Sequence, residues 1–131
     1  MRFDTRHKII SPAQAGVLAA GARCGGSRTL AFVTHLEVLR ASHVRELEHL
    51  AATTPGKLFV ILTDPASPLA PLDTRAELAA ALRVVDYVVP SPEGAATVLA
   101  VIQADATVHD EKEDCGRTRQ LIEHVRSRSR I

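Results

Sequence analysis

The chain has 131 residues, 46% of them hydrophobic and 24% charged, which allows one core of moderate size and excludes the compositions of disordered and collagen-like chains. Sixteen Lys and Arg against 15 Asp and Glu leave a formal net charge of +1, so no field draws the chain to nucleic acid or an anionic membrane, and one Tyr, three Phe and no Trp give single-stranded bases little to stack on. Cys24 and Cys115 lie outside any CxxC spacing, MRFDTRHKIISPAQAG lacks the apolar core of a signal peptide, and no apolar run is long enough to span a bilayer, so a single cytoplasmic domain over 1–131 is expected, with a basic tail from about 126.

In SPAQAGVLAAGAR, Ser11 is placed to cap a helix and Pro12 to occupy its first position, which predicts a helix over 11–22. Two glycines in CGGSR end it, and TLAFVT at 29–34 is a short continuous apolar run, as in a strand covered on both faces. Val44, Leu47 and Ala51 fall on one side of a helix over 43–52, opposite Arg45, Glu46, Glu48 and His49, and Pro55-Gly56 closes it. KLFVILTD at 57–64 is a second covered strand, and PASPLAPL, with three prolines, is a loop. Asp73 or Thr74 is expected to cap RAELAAALRVV, with Leu78, Leu82 and Val85 as its apolar stripe. DYVVP is a third strand, Ser91-Pro92-Glu93 starts a helix with Val98, Leu99 and Ile102 on its core face, ATVHD at 106–110 is a fourth strand, and RTRQLIEHVRSR is a last helix. The DEKED run between them reads as a solvated turn.

Helices alternating with buried strands predict a doubly wound, Rossmann-like α/β fold, with a parallel sheet of about four to five strands and helices on both faces. Ligands of such sheets bind beyond the carboxyl ends of the strands at a switch in strand order, and His43 lies just past the end of the first strand. His43 is read either as an anion ligand at a helix N-terminus or as an exposed residue without a role. His35 and His49 form no HxH or HExxH spacing with it, so no metal site is expected. Arg75 and Asp86 are read as structural contacts at the ends of their helix and strand, with contact to substrate as the alternative, and both thiols as buried or inert.

Three stretches, KIISPAQA with RTLAFVT, SHVRELEHL, and DTRAELAAALRVVDYVVP, make the chain resemble the cytidylyltransferase-like nucleotidyltransferases from about Lys8 to Val125, above all the heptose-1-phosphate adenylyltransferase and glycerol-3-phosphate cytidylyltransferase branch. The third follows the family pattern R-x-x-x-L-x-A-L-x-x-V-D-x-V-V, with Arg75, Leu82, Val85 and Asp86 in register. In that family G-x-F-D-x-x-H-x-G-H follows the first strand and holds the nucleotide phosphates, where imidazolium groups and helix N–H groups stabilise charge built up by attack on the α-phosphate. Here the run is THLEVLRASH: Thr34 stands for the first Gly, Leu36 and Glu37 for Phe-Asp, Arg40 for the first His, Ser42 for the Gly, and only His43 matches.

Ser42 and Thr34 should narrow the pocket, and Arg40 can hold a phosphate but cannot exchange protons near neutral pH. The loop PASPLAPLDT lacks the family's Lys-Gly cation, Thr118-Arg119 is what remains of a Ser-Thr-Thr helix start, and Asp110, Glu111, Glu113 and Asp114 crowd the place of an anionic ligand. The resemblance with these departures implies a catalytically degenerate nucleotidyltransferase-like domain, a pseudoenzyme serving as a non-catalytic binding or assembly module. The alternative is an active enzyme that transfers a nucleoside monophosphate from ATP or CTP, with Mg2+, to a sugar or polyol phosphate and releases pyrophosphate. His43 and Arg40 would then be catalytic, and Thr34, Ser42, Thr118 and Arg119 would contact the nucleotide. A small-molecule binder without nucleotide specificity is a third reading. RVVDYVV implies a nearby homodimer contact, while no nucleic-acid or membrane partner is expected.

Overall fold

The structure, a computed structural model, describes residues 4–129. The first three residues of the stretch read for a leader and the last two of the basic tail lie outside them. Four strands, β1 (Arg28–Thr34), β2 (Gly56–Leu62), β3 (Tyr87–Pro90) and β4 (Ala106–His109), form one sheet in the order β3-β2-β1-β4, with every pairing parallel. Five helices accompany them: α1 (Pro12–Cys24), α2 (Ala41–Thr53), α3 (Leu72–Ala80), α4 (Ala96–Ile102) and α5 (Glu111–Ser129). The expected doubly wound α/β architecture is therefore present, with four strands.

β1 and β2 are continuous apolar runs because both of their faces are covered. Leu30, Phe32, Leu58, Val60 and Leu62 join Leu36 and Leu47 and the small residues Ala76, Ala79 and Ala80 in one core, under α2 and α3. The alternate residues Ala31, Val33, Phe59 and Ile61 pack with Ala15, Ala19, Val98 and Ile102 in the other, under α1 and α4. At the start of the β1–β2 ladder, a Cβ on Gly56 would run into the Arg28 carbonyl, so only glycine fits there.

Ser11 caps α1 in a reciprocal box, its hydroxyl accepting from the Gln14 N–H while the Gln14 side chain accepts from the Ser11 N–H. Three helices depart from their expected bounds. α3 begins at Leu72 after Pro71, so Asp73 and Thr74 lie in its first turn and do not cap it, and it ends at Ala80. Its inward face is Arg75, Ala76, Ala79 and Ala80, while Leu78, placed on the core stripe from sequence, is 43% exposed: small side chains let this helix lie close to the sheet. Ser91 to Gly94 is a turn closed by the Ser91 hydroxyl on the Gly94 carbonyl, and α4 starts only at Ala96, with Val98 and Ile102 buried and Leu99 partly so. α5 begins at Glu111, so the DEKED run is its first turn and is not a solvated turn. Among the described residues no helix is long and apolar enough to cross a membrane.

Candidate functional site

β1 lies between β2 and β4, so the switch in strand order falls between β1 and β4, and α2 and α5 both start at the carboxyl end of this pair. Past the last strand residue, Thr34, the chain turns sharply through Leu36, whose φ of 49° is left-handed and whose side chain is buried in the core. The positive φ thus falls at Leu36, two residues beyond the position where the sequence pattern expects glycine freedom. Thr34 fastens the turn: its hydroxyl accepts from the Leu36 N–H at 3.1 Å and donates to Asp110 Oδ2 at 3.0 Å.

His43 sits in the first turn of α2 and is fully buried, which overturns its reading as a solvent-exposed residue. Its Nδ1 accepts the Arg40 backbone N–H at 3.1 Å, which assigns the proton of the neutral ring to Nε2. Nε2 lies 2.9 Å from Asp114 Oδ1 and 3.6 Å from Asp110 Oδ2. Asp110 and Asp114 are four residues apart at the start of α5, so one helical turn brings both carboxylates to the same place. Arg40 Nη2 donates to Asp114 Oδ1 at 3.1 Å, and the Glu37 N–H approaches Asp114 Oδ2 at 3.3 Å. Asp114, with no exposed surface, therefore accepts from a guanidinium, an imidazole and a backbone amide.

Burial works against charge on the His43 ring, but the Asp110 and Asp114 carboxylates outweigh it and hold the pKa above the ordinary histidine value, although a proton on Nδ1 would displace the Arg40 N–H. Burial alone would raise the Asp114 pKa; the His43 ring, the Glu37 N–H and the Arg40 guanidinium bring it below the usual carboxylate range. His43, Asp110 and Asp114 place one potential ligand atom each within 4.8 Å of one another. They do not fit a metal in this arrangement: Nε2 carries the proton, and the Arg40 guanidinium already fills the cationic position on Asp114.

A second cluster is structural. Arg75, buried in α3, donates to the carbonyls of Ala70, His35 and Thr63 at 3.1, 2.7 and 3.1 Å and pairs with Asp64, tying the ends of β1 and β2 to the proline-rich loop. Asp86 accepts the Leu58 N–H at 2.8 Å. His35 Nδ1 meets the Thr63 carbonyl at 3.0 Å, and the Thr63 hydroxyl donates to Glu111 at 2.5 Å.

Of the residues singled out from sequence, Thr34, Arg40 and His43 come together around Asp110 and Asp114. Ser42 is half-buried at the rim, its hydroxyl 3.5 Å from the Arg117 guanidinium. Thr118 is buried and Arg119 exposed, and both border a cavity of about 310 Å3 together with Glu37, Leu69, Cys115 and Ile122. Burial, then the Asp114 and Glu37 carboxylates, push the Cys115 thiol up, which suits an inert group, while Cys24 is exposed. Sequence reasoning names Asp114 only as one of four acids crowding the place of an anionic ligand and Glu37 only as a replacement in the motif run, and misses that both belong to the site. One signal was available for Asp114: Glu111, Glu113 and Asp114 make an acidic first turn, the usual mark of a helix start.

No protein-family model matches the chain, and no curated protein matches it.

Proposed function

We propose that this chain is a nucleotidyltransferase-like α/β domain whose phosphate-binding end is closed by its own α5, and that it acts as a non-catalytic binding module. One observation carries the reading: the Asp114 carboxylate occupies donors that an anion would need, the Arg40 Nη2, the His43 Nε2 and the backbone amide ahead of α2. A triphosphate would have to displace a buried carboxylate and then lie beside Asp110, at a cost that like charges in a poorly solvated place make large. Mg2+ brought by a nucleotide would meet an Asp114 already held by Arg40 and His43 and an Asp110 whose Oδ2 is held by Thr34.

Catalysis is disfavoured for a further reason. Three parts are replaced, the first histidine and glycine of the H-x-G-H run taken together, the cationic loop, and the Ser-Thr-Thr helix start, and if each of the three costs about a hundredfold, together they remove about a millionfold in rate. The same reading places the protein in the cytoplasm, as a homodimer formed near 83–89, which light scattering tests. The functional test is calorimetric titration with ATP and with CTP in the presence of Mg2+, followed by an assay for pyrophosphate release with sugar phosphates. Neither binding nor release is expected; turnover dependent on His43 would restore the enzyme reading.

A further inference from the structure

Among the described residues, five of the six buried polar side-chain atoms without a hydrogen-bond partner gather at the carboxyl end of the sheet: Glu37 Oε1, Thr118 Oγ1, Arg40 Nε and Nη1 and Asp110 Oδ1, while the sixth, Thr29 Oγ1, lies at the start of β1. Two of these belong to residues that border the cavity of about 310 Å3 between the proline-rich loop and α5: Glu37, 8% exposed, and Thr118, 6% exposed. Buried polar groups without partners are costly, and two of them on residues that line a cavity of ligand size mark a place where a partner is missing.

The chemistry of the missing partner can be read from the atoms. Glu37 Oε2 accepts the Leu69 N–H at 2.8 Å, which straps the loop to the body, while Oε1 has no donor. Among the described residues no Lys, Arg or His lies within salt-bridge distance of Glu37, although Arg40 is only three residues away, because Arg40 is turned to Asp114. A half-satisfied buried carboxylate calls for a cationic donor. The Thr118 hydroxyl can accept a second N–H from the same head group. Pro65, Ala66, Leu69 and Ile122 supply apolar wall for a flat body. Arg119 stands exposed at the mouth, where it disfavours a second cation and favours an anionic tail.

We infer that this cavity binds a small organic cation, with a primary ammonium on Glu37 Oε1 and Thr118 Oγ1, an apolar or aromatic body against Leu69 and Ile122, and the far end toward Arg119. The inference rests on the binding-module reading and names its ligand class. The raised thiol of Cys115, caused by burial and then by Asp114 and Glu37, is consistent with a local potential that attracts a cation.

Benzylamine, benzyl alcohol and 4-(aminomethyl)benzoate are suitable probes, followed through the backbone amide resonances of Leu69 and Thr118 in the full chain without nucleotide. Benzylamine should give saturable shifts, 4-(aminomethyl)benzoate should bind more tightly, and benzyl alcohol should give none. Glu37→Gln should weaken benzylamine by at least about tenfold. Ala66→Phe, at an exposed loop position on the cavity wall, leaves Glu37 itself unchanged, should block both amines by filling the cavity, and guards against a Glu37 variant that fails to fold. No saturable shift with benzylamine, benzyl alcohol binding as well as the amine, or full affinity in a folded Glu37→Gln protein would overturn the inference. Those outcomes leave the closed phosphate site untouched, whereas ATP or CTP turnover removes that reading whatever the amines do.

Discussion

A carboxylate with no exposed surface is stable only while its donors stay in place, and Asp114 depends on three: Arg40, His43 and the Glu37 N–H. His43→Gln should therefore cost about 3 kcal/mol, read from the urea midpoint, because it takes one partner from a buried pair. The two pKa shifts have opposite signs in their effect on stability. His43 is raised, so its contribution is complete below about pH 6.5 and is lost as pH rises through the raised value. Asp114 is lowered, so its contribution is present above about pH 3.8 and is lost as pH falls through the lowered value. Stability should be greatest between those limits, and His43→Gln should flatten the decline on the alkaline side, which melting curves across pH measure. Arg75→Met should be harsher, costing about 3–5 kcal/mol, since it leaves Asp64 and the Ala70 and His35 carbonyls without their donor and takes one of two partners from the Thr63 carbonyl. None of these partnerships was legible locally: His43 meets Asp114 across 71 residues of sequence, and no spacing rule reaches that far.

Elements were legible where one physical cause dominates. β1 and β2 read as strands because a strand covered on both faces must be apolar throughout, and α1 because Ser11 and Pro12 fix its first turn. α3 was misread because its contact with the sheet uses alanines, which carry little weight in a search for large apolar stripes, so Leu78 was assigned inward. The start of α5 was missed because a run of charges suggested water, whereas acids in a first turn also complement the helix dipole. Two glycines separate the demands of helix and sheet. Gly116 lies inside α5, where a Cβ would meet nothing within 4 Å, and Gly116→Ala should stabilise by about 0.5–1 kcal/mol. Gly56→Ala should destabilise instead, because the added methyl meets the Arg28 backbone in the neighbouring strand. Thermal unfolding of the two variants should move in opposite directions.

On the scale of the molecule, the sheet brings the starts of α2 and α5 together at its carboxyl end, the position where open α/β sheets receive ligands, and here α5 delivers a carboxylate into the donors of α2. If Asp114 stands in for a bound anion, then removing it should make room for one. Asp114→Ala keeps a good helix former in the first turn of α5 while freeing Arg40, His43 and the Glu37 amide. The most direct measurement is the melting temperature of this variant and of the wild type in phosphate and in chloride at matched ionic strength, since a ligand that binds only the folded state raises it. The variant should melt lower than the wild type in chloride and recover part of the loss in phosphate, with no comparable gain for the wild type. An equal response of the two proteins, or a wild type that phosphate alone stabilises strongly, would contradict a site closed from within.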